Sequence, residues 1–531
     1  MVMTSKILLG LLGATALAGC NLAPHYVRPV GEVPAALPQG GVYPAAATDA
    51  PDVTKIGWRD FFTDERLRNT IALGLENNRD LRVAAANVLQ ARAQYRIQRA
   101  DLVPSTSLSA SGTYTNNIQG AASTLGGAAS GGTGSGGTGG TGGTGTGGTG
   151  TGGTGTGGTG SNAGGGTAGA IGSSSSNFEF YSVNAGFSAF ELDLFGRVRN
   201  LNRAALEQYF ATEEAQRSTR ISLIAEIANA WLTLASDQDQ LAISQRSLAS
   251  FAQSLELTRA QFRIGVASEL EARQAETTYQ GARNDIAVLK TRVAQDKNAL
   301  DLLVGTPVAT PLLPQGLGNG DAALQVLPAG LASDVLLRRP DVLQAEHQLI
   351  AQNANIGAAR AALFPRISLT ATLGTISSAL SGLFAGGSFT YTGAPSVSLP
   401  LFDGGRLRGN VDLARAQQQS AVSTYEKTVQ TAFREVADAL AQRGTIDEQV
   451  AAQSARVEAA NVALRISDAR YRAGVESFLT TLDSQRTAYA AQQQLVTTRL
   501  SRGSNLVELY RSLGGGLDVD DPQVRPTTAA K

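Results

Sequence analysis

The sequence predicts a mixed α and β membrane protein, a tandem duplication in which each copy supplies two membrane-spanning strands and a long coiled-coil hairpin. Three observations carry that prediction. The chain repeats itself. Each copy has a window without Asp, Glu, Lys or Arg at the same place. Each copy then has an unbroken helical run of roughly 65 residues that ends near a glycine.

Composition narrows the function first. The 531 residues carry 44 basic and 44 acidic side chains, 60 glycines, two histidines and one cysteine. Balanced charge advertises no surface for a polyanion, so nucleic acid is not an expected partner. One cysteine excludes a disulfide framework and a thiolate zinc cluster, and two histidines make a histidine-rich metal site improbable. No G-x-x-x-x-G-K-[ST], H-E-x-x-H or G-x-S-x-G occurs, and no acid, base and nucleophile recur together. Neither an enzyme nor a cofactor is expected.

The N-terminus opens with a short basic stretch, Met1–Lys6, followed by the apolar run Ile7–Ala18. That run is too short to cross a ~30 Å hydrocarbon core as a helix, which takes ~20 residues. Residues 1–19 read as a secretory signal peptide. They end in Leu17-Ala18-Gly19-Cys20, which resembles a bacterial lipoprotein box. Cleavage would leave Cys20 as the first mature residue, carrying a diacylglycerol on its sulfur and an N-acyl chain. An ordinary cleavage site with an incidental cysteine is the blander reading, but the only cysteine of the chain sits at the one position the box requires. By resemblance to lipoprotein sorting rules, Asn21 in place of Asp favours the outer membrane. The expected location is therefore the cell outer membrane, lipid-anchored, with most of the mass in the periplasm.

The duplication is read from two ungapped alignments. At an offset of 261, Ala93 falls on Ala354, Arg99 on Arg360, Leu102 on Leu363, Pro104 on Pro365 and Ser107-Leu108 on Ser368-Leu369. At an offset of 209, Gly196-Arg197-Val198-Arg199 falls on Gly405-Arg406-Leu407-Arg408, and Phe262–Ser268 on Tyr471–Ser477. The difference between the offsets is about the length of a Gly/Thr-rich tract, an insertion in the first copy only, whose composition predicts disorder. The expected organisation is a lipidated extended segment at 20–60, repeat 1 at 61–305 with its Gly/Thr-rich loop insert at 121–175, a linker at 306–320, repeat 2 at 321–514, and a C-terminal periplasmic tail at 515–531.

Each copy keeps one order of elements. A first helix, about Glu65–Leu102 in repeat 1, is rich in good helix formers and is stopped ahead of Pro104 or Pro365. Charge then disappears: no Asp, Glu, Lys or Arg lies between Leu102 and Phe178, or between Ile367 and Phe402. Within these windows Tyr181, Val183, Ala185, Phe187 and Ala189 alternate with small polar residues, as do Ile367, Leu369 and Ala371, and Phe389, Tyr391, Val397 and Leu399 share one parity. Period two with one apolar and one small polar face fits a strand between lipid and a wet lumen. A soluble sandwich would carry Lys or Glu on its wet face and edges.

Next comes the long helix from Arg197 to about Arg263, with Ile227, Leu234, Leu241, Leu248, Leu255 and Phe262 at heptad spacing, the pattern of a coiled-coil seam. The second copy shows Val436, Val450, Val457, Leu464 and Tyr471, with Arg443 breaking the row. Gly265 and Gly474 permit a reversal through positive φ. Returning helices are expected at about Leu270–Val304 and Leu479–Leu513.

Four strands per chain cannot close a barrel, and an open edge in lipid leaves backbone groups unpaired at several kcal/mol each. Two chains would give eight strands with a filled interior, and three give twelve with a lumen. The expectation is a trimeric 12-stranded transmembrane β-barrel, continued by a long periplasmic α-helical barrel of coiled-coil hairpins.

These residues resemble the outer membrane factor family of tripartite efflux pumps, the TolC-like channels, and within it the lipidated OprM/NodT branch. The resemblance rests on Cys20–Pro29, Phe190–Arg197, Arg338–Val342, Leu399–Arg406 and Leu509–Gly516, and it covers nearly the whole mature chain. It implies a homotrimeric exit duct without an ATPase of its own, carrying small molecules such as drugs past the outer membrane. The implied partners are a periplasmic membrane-fusion adaptor, an inner-membrane RND pump and outer-membrane lipid. The family's constricting apolar and acidic rings fall on Leu479 and Asp483, at a spacing of i, i+4 on one helix face. Solvation of Asp483, or pairing with Arg486, is the plainer reading. Adaptor docking is implied at the hairpin tips, through Arg263, Gly265, Val266 and Ser268 and their repeats Arg472, Gly474, Val475 and Ser477. For the glycines, turn chemistry alone is the alternative. A type I protein-secretion channel is the second functional reading, and a coiled-coil structural protein or adhesin the remote third.

Overall fold

A computed structural model of the chain describes residues 21–29, 33–34, 36–44, 56–115, 178–318 and 333–515. Cys20, the signal peptide, the Gly/Thr-rich insert and the end of the C-terminal tail lie outside these residues. The chain divides into a helical unit and a sheet unit.

The sheet unit holds β1 (Thr106–Thr115), β2 (Phe178–Glu191), β3 (Arg366–Ser377) and β4 (Phe389–Ser398). They pair antiparallel in the order β1-β2-β3-β4, so among the described residues β1 and β4 each have one free edge. Register carries the alternation across all four strands. Leu108 lies opposite Ala185, Ala185 opposite Leu373, and Leu373 opposite Tyr391, which makes one apolar row. The other face is a hydroxyl ladder. Ser111 and Ser182 share a 2.9 Å hydrogen bond, Ser368 and Ser396 one of 2.7 Å, and Asn184 Nδ2 donates to Ser182 Oγ at 3.2 Å.

Strict alternation fails at Ala189. The register shifts between Phe187 and Phe190, and Ala189 takes φ 53° while its N–H turns to Thr370 Oγ1 at 3.0 Å. This is a β-bulge, which adds one residue to β2 and inverts its parity. Ala189 therefore leaves the apolar row that the sequence pattern assigns it. Phe190 joins Phe187 on that face instead, their rings edge to face at 6.3 Å. Leu399 lies just beyond the end of β4.

The helical unit begins with α1 (Trp58–Phe61), α2 (Glu65–Asn77) and α3 (Arg79–Ala100). The single helix expected over Glu65–Leu102 is thus two, broken at Asn78. Its ψ of 136° is not helical, its Oδ1 accepts from Leu81 N, and its Nδ2 donates to Leu303 O, both at 2.8 Å. One side chain caps the new helix and fixes the break, as Asn does when it offers the backbone an alternative to helix. Then follow α4 (Arg197–Arg263), α5 (Glu269–Val304), α6 (Pro340–Ala361), α7 (Arg406–Arg472) and α8 (Phe478–Ser512). At 67 residues each, α4 and α7 are about 100 Å long. No described helix is long and apolar enough to cross a membrane.

The core gathers around Trp231, where Phe61 stacks on Tyr510 at 4.4 Å and the indole N–H donates to Leu312 O at 3.1 Å. Arg339, from the Arg338–Val342 stretch, is buried here. It donates to Ser512 O, Asp341 and Glu435 within 2.8 Å, which ties α6 to both helices of the second hairpin. The seam along α4 is less regular than its heptads. Ile227 and Leu234 are buried, but Leu241 and Leu248 are half covered and Phe262 is 44% exposed. Leu255 is buried again, and before it Ser244 and Phe251 are covered where Tyr489 of α8 packs, its ring 5.8 Å from that of Phe251.

The two short helices of the duplication differ. In α6 one face is buried between α4 and α7, including Val342, Leu349 and Ile356. In α3 only Ala91 is buried, while Val83, Leu89 and Ile97 are exposed.

Candidate gate and docking tips

Both long helices end on the same backbone motif. Gly265 (φ 78°) donates to Phe262 O at 3.0 Å, and Val266 to Gln261 O at 2.9 Å. Gly474 (φ 73°) donates to Tyr471 O at 2.9 Å, and Val475 to Arg470 O at 3.0 Å. These bonds form a Schellman ending with glycine at the left-handed position, which closes the last carbonyls of each helix. The motif leaves Val266 and Val475 pointing outward, 72% and 68% exposed. Such exposure of a valine at a tight turn is not required by the turn.

The return helices are capped unequally. Ser268 and Glu271 make a full capping box, whereas the Ser477 hydroxyl meets Thr480 Oγ1 at 3.3 Å and caps no backbone N–H. The arginines differ as well. Arg472 is held by Asp468 at 2.9 Å, and its neighbour Arg470 by Glu476 at 2.7 Å. Arg263 is exposed and makes no ion pair among the described residues. The two tips lie side by side: Tyr471 donates to Gln261 Oε1, and Leu255 and Ala275 of the first hairpin cluster with Phe478 and Leu482 of the second.

That cluster orients the expected gate residues. Phe478, Thr481, Leu482 and Gln485 form the buried face of α8. Leu479 and Asp483, one turn apart, lie on the face turned away, with Leu479 55% exposed. Asp483 does not pair with Arg486. The Arg486 guanidinium donates instead to Thr278 Oγ1 of α5, at 2.8 and 3.0 Å.

Polar links between the hairpins continue above the gate residues. Gln485 Nε2 donates to Ser254 Oγ at 2.7 Å. The Tyr489 hydroxyl donates to Asp285 Oδ2 at 2.9 Å and lies 2.8 Å from Ser244 Oγ. Burial first, and then the Asp285 carboxylate, push the Tyr489 phenol up to about 12, so it stays a donor. A groove of about 340 Å³, lined in part by Ser254, Asn461, Asp468 and Gln485, runs beside these links. Sequence reasoning passed over Thr278, Asp285, Gln485 and Tyr489. Their signal is a polar side chain within a buried seam, which demands a partner, although its partner is visible only once the helices are packed.

Cys20 lies outside the described residues, but the segment after it is tied down. Arg28 grips Glu346 with two 2.7 Å bonds, and Tyr26 adds a third at 3.0 Å. Asn353 Nδ2 donates to Pro24 O at 2.7 Å, and Arg360 to Leu22 O at 3.2 Å.

Comparison with known proteins agrees with this architecture. The family described as outer membrane efflux protein matches residues 70–306 and 331–515. The toluene efflux pump outer membrane protein TtgC of Pseudomonas putida is 42% identical over 516 residues, covering 97% of this chain and 96% of its own. The solvent efflux pump outer membrane protein SrpC of Pseudomonas putida is 41% identical over 504 residues, covering 95% and 97%. The crystal structure of the open state of the Neisseria gonorrhoeae MtrE outer membrane channel superposes with a TM-score of 0.76 at 34% identity, covering 94% of this chain and 99% of that one.

Proposed function

The chain belongs to the outer membrane efflux protein family, and from that premise we propose how it works as the outer-membrane exit duct of a tripartite, RND-type efflux pump. It passes small molecules from the periplasm to the exterior. The names of its relatives, toluene and solvent efflux proteins, favour small apolar solutes over exported polypeptides.

The observation that carries the mechanism is a sheet with one apolar face, one hydroxyl face and, among the described residues, a free edge at β1 and at β4. In lipid those edges must be paired, and β1 of one chain against β4 of the next pairs them without new elements. Three chains then close twelve strands around a polar lumen. The helices support the same arrangement. Whereas α6 is covered by α4 and α7, its counterpart α3 buries only Ala91, and the α7 of a neighbouring chain would cover it. A diacylglycerol and an N-acyl chain on Cys20 anchor the assembly, and the bonds around Glu346 hold the following segment against α6.

At the periplasmic end, Leu479 and Asp483 face a threefold axis in this reading. Three leucines plug it, and three carboxylates repel anions and attract cations. The adaptor grips the tips at Arg263, Gly265, Val266 and Ser268 and at Arg472, Gly474, Val475 and Ser477. The RND pump loads the duct through the adaptor. The decisive experiment joins the mass of the detergent-extracted particle to its conductance in planar bilayers. A monodisperse trimer that conducts supports the proposal, and a non-conducting monomer or dimer overturns it.

A further inference from the structure

The duplication exposes one mismatch. At the offset of 261, Asn353, Gly357 and Arg360 of α6 correspond to Arg92, Arg96 and Arg99 of α3. In α6 this stripe is a seat for the chain itself. Asn353 donates to Pro24 O at 2.7 Å and Arg360 to Leu22 O at 3.2 Å, while a Cβ on Gly357 would stand 2.7 Å from that of Ala23. Each chain has one N-terminal segment, and it occupies the second copy. In the first copy the same stripe carries three arginines, all exposed, with no hydrogen bond or ion pair among the described residues.

Spacing of i, i+4 and i+7 puts the three guanidinium groups along one face over about 10 Å. The helix around them carries five arginines and one aspartate, where α6 has one arginine and two acids. Tyr209 of the flanking α4, whose hydroxyl already engages Glu213, lies in the field of Arg92. A seat that takes backbone carbonyls in one copy is thus converted, in the other, to one that takes full negative charge. Guanidinium groups match phosphate oxygens in two-point geometry. In the chain, Arg99 stands seven residues before Thr106, within about 25 Å even fully extended.

We infer that Arg92, Arg96 and Arg99 form a docking surface for the phosphate groups of anionic phospholipids at the periplasmic face of the membrane. The inference rests on the reading of the sheet as membrane-spanning.

The test uses the full-length chain in detergent micelles containing phosphatidylglycerol, with retained lipid read by native mass spectrometry. Each Arg→Gln change should weaken retention about fivefold. The triple variant R92Q/R96Q/R99Q should hold phosphatidylglycerol no better than phosphatidylcholine, and R92K/R96K/R99K should keep most of the preference. Unchanged retention in the triple Gln variant overturns the inference. So does displacement of the lipid by inorganic phosphate alone, which would mark a free-anion site. Loss of the oligomer with unchanged lipid per chain also overturns it and assigns the stripe to a subunit contact. Conductance of the unmutated protein keeps the two readings apart: a conducting channel whose variant keeps its lipid defeats the stripe alone, whereas a wild type that does not conduct defeats the channel.

Discussion

Arg28 and Glu346, 318 residues apart, are joined by two 2.7 Å hydrogen bonds, and the Glu346 side chain is only 9% exposed. Charge-assisted fork geometry of this kind is stronger than a neutral pair. Glu346→Ala should therefore release the segment that follows Cys20. Because Arg28 is half exposed, the expected loss is on the order of 1–2 kcal/mol. Thermal unfolding would report it, and hydrogen exchange should accelerate across residues 22–29. Unchanged exchange there would show that Asn353 and Arg360 suffice.

Leu479→Ala and Asp483→Ala should each raise the conductance of the isolated channel, and Asp483→Ala should also reduce its preference for cations. Single-channel recording at two ionic strengths measures both. Conductance and selectivity equal to wild type in both variants would remove these residues from the gate.

Tyr489→Phe deletes a hydroxyl that bridges Asp285 and Ser244 while keeping the ring against Phe251. The half-buried Asp285 contact is then lost at about 1–3 kcal/mol. If the links between hairpins hold the tip closed, open probability should rise without loss of assembly. A silent phenotype would assign the links to stability alone.

Arg263→Glu combined with Arg472→Glu should abolish drug efflux in cells while leaving the assembly and its conductance intact. The single variants should differ, since Asp468 already restrains Arg472 and no acid among the described residues restrains Arg263. Normal resistance in the double variant would rule out docking through these side chains.

Burial raises the carboxyl pKa of both Asp237 and Asp296, and the charge of Asp237 raises that of Asp296 further. A carboxyl whose pKa is higher folded than unfolded binds more protons in the folded state, so stability falls as pH rises from the unfolded value through the folded one. Asp296→Asn should raise the unfolding midpoint at neutral pH and flatten its decline above the ordinary carboxylate range. Identical pH profiles for variant and wild type would contradict the raised Asp296 pKa.

Much of this was legible in the sequence because backbone rules govern it. Gly265 and Gly474 marked reversals that need positive φ, and charge-free alternation marked the strands. What stayed hidden depends on a single side chain competing with the backbone, as Asn78 does at the helix break, or on one extra residue in a strand, as at Ala189. The seam along α4 misled for another reason: heptads describe a pair of helices, and here Ser244 and Phe251, outside that row, are covered where Tyr489 packs. For the gate, the family resemblance pointed to Leu479 and Asp483 and their spacing put both on one face of α8, but the partner of Arg486, Thr278, lies on a helix some 200 positions away.

The paired Schellman endings also bear on how a partner perceives the protein. Traced along the main chain, the two turns are interchangeable: the same glycine, the same closed carbonyls, the same outward valine. Their charges are not, since Arg472 is tethered to Asp468 and Arg263 has no ion pair among the described residues. In the trimer proposed above, a ligand that reads only contour would find six like sites, twice the rotational order of the subunits, while one that reads charge would sort odd sites from even.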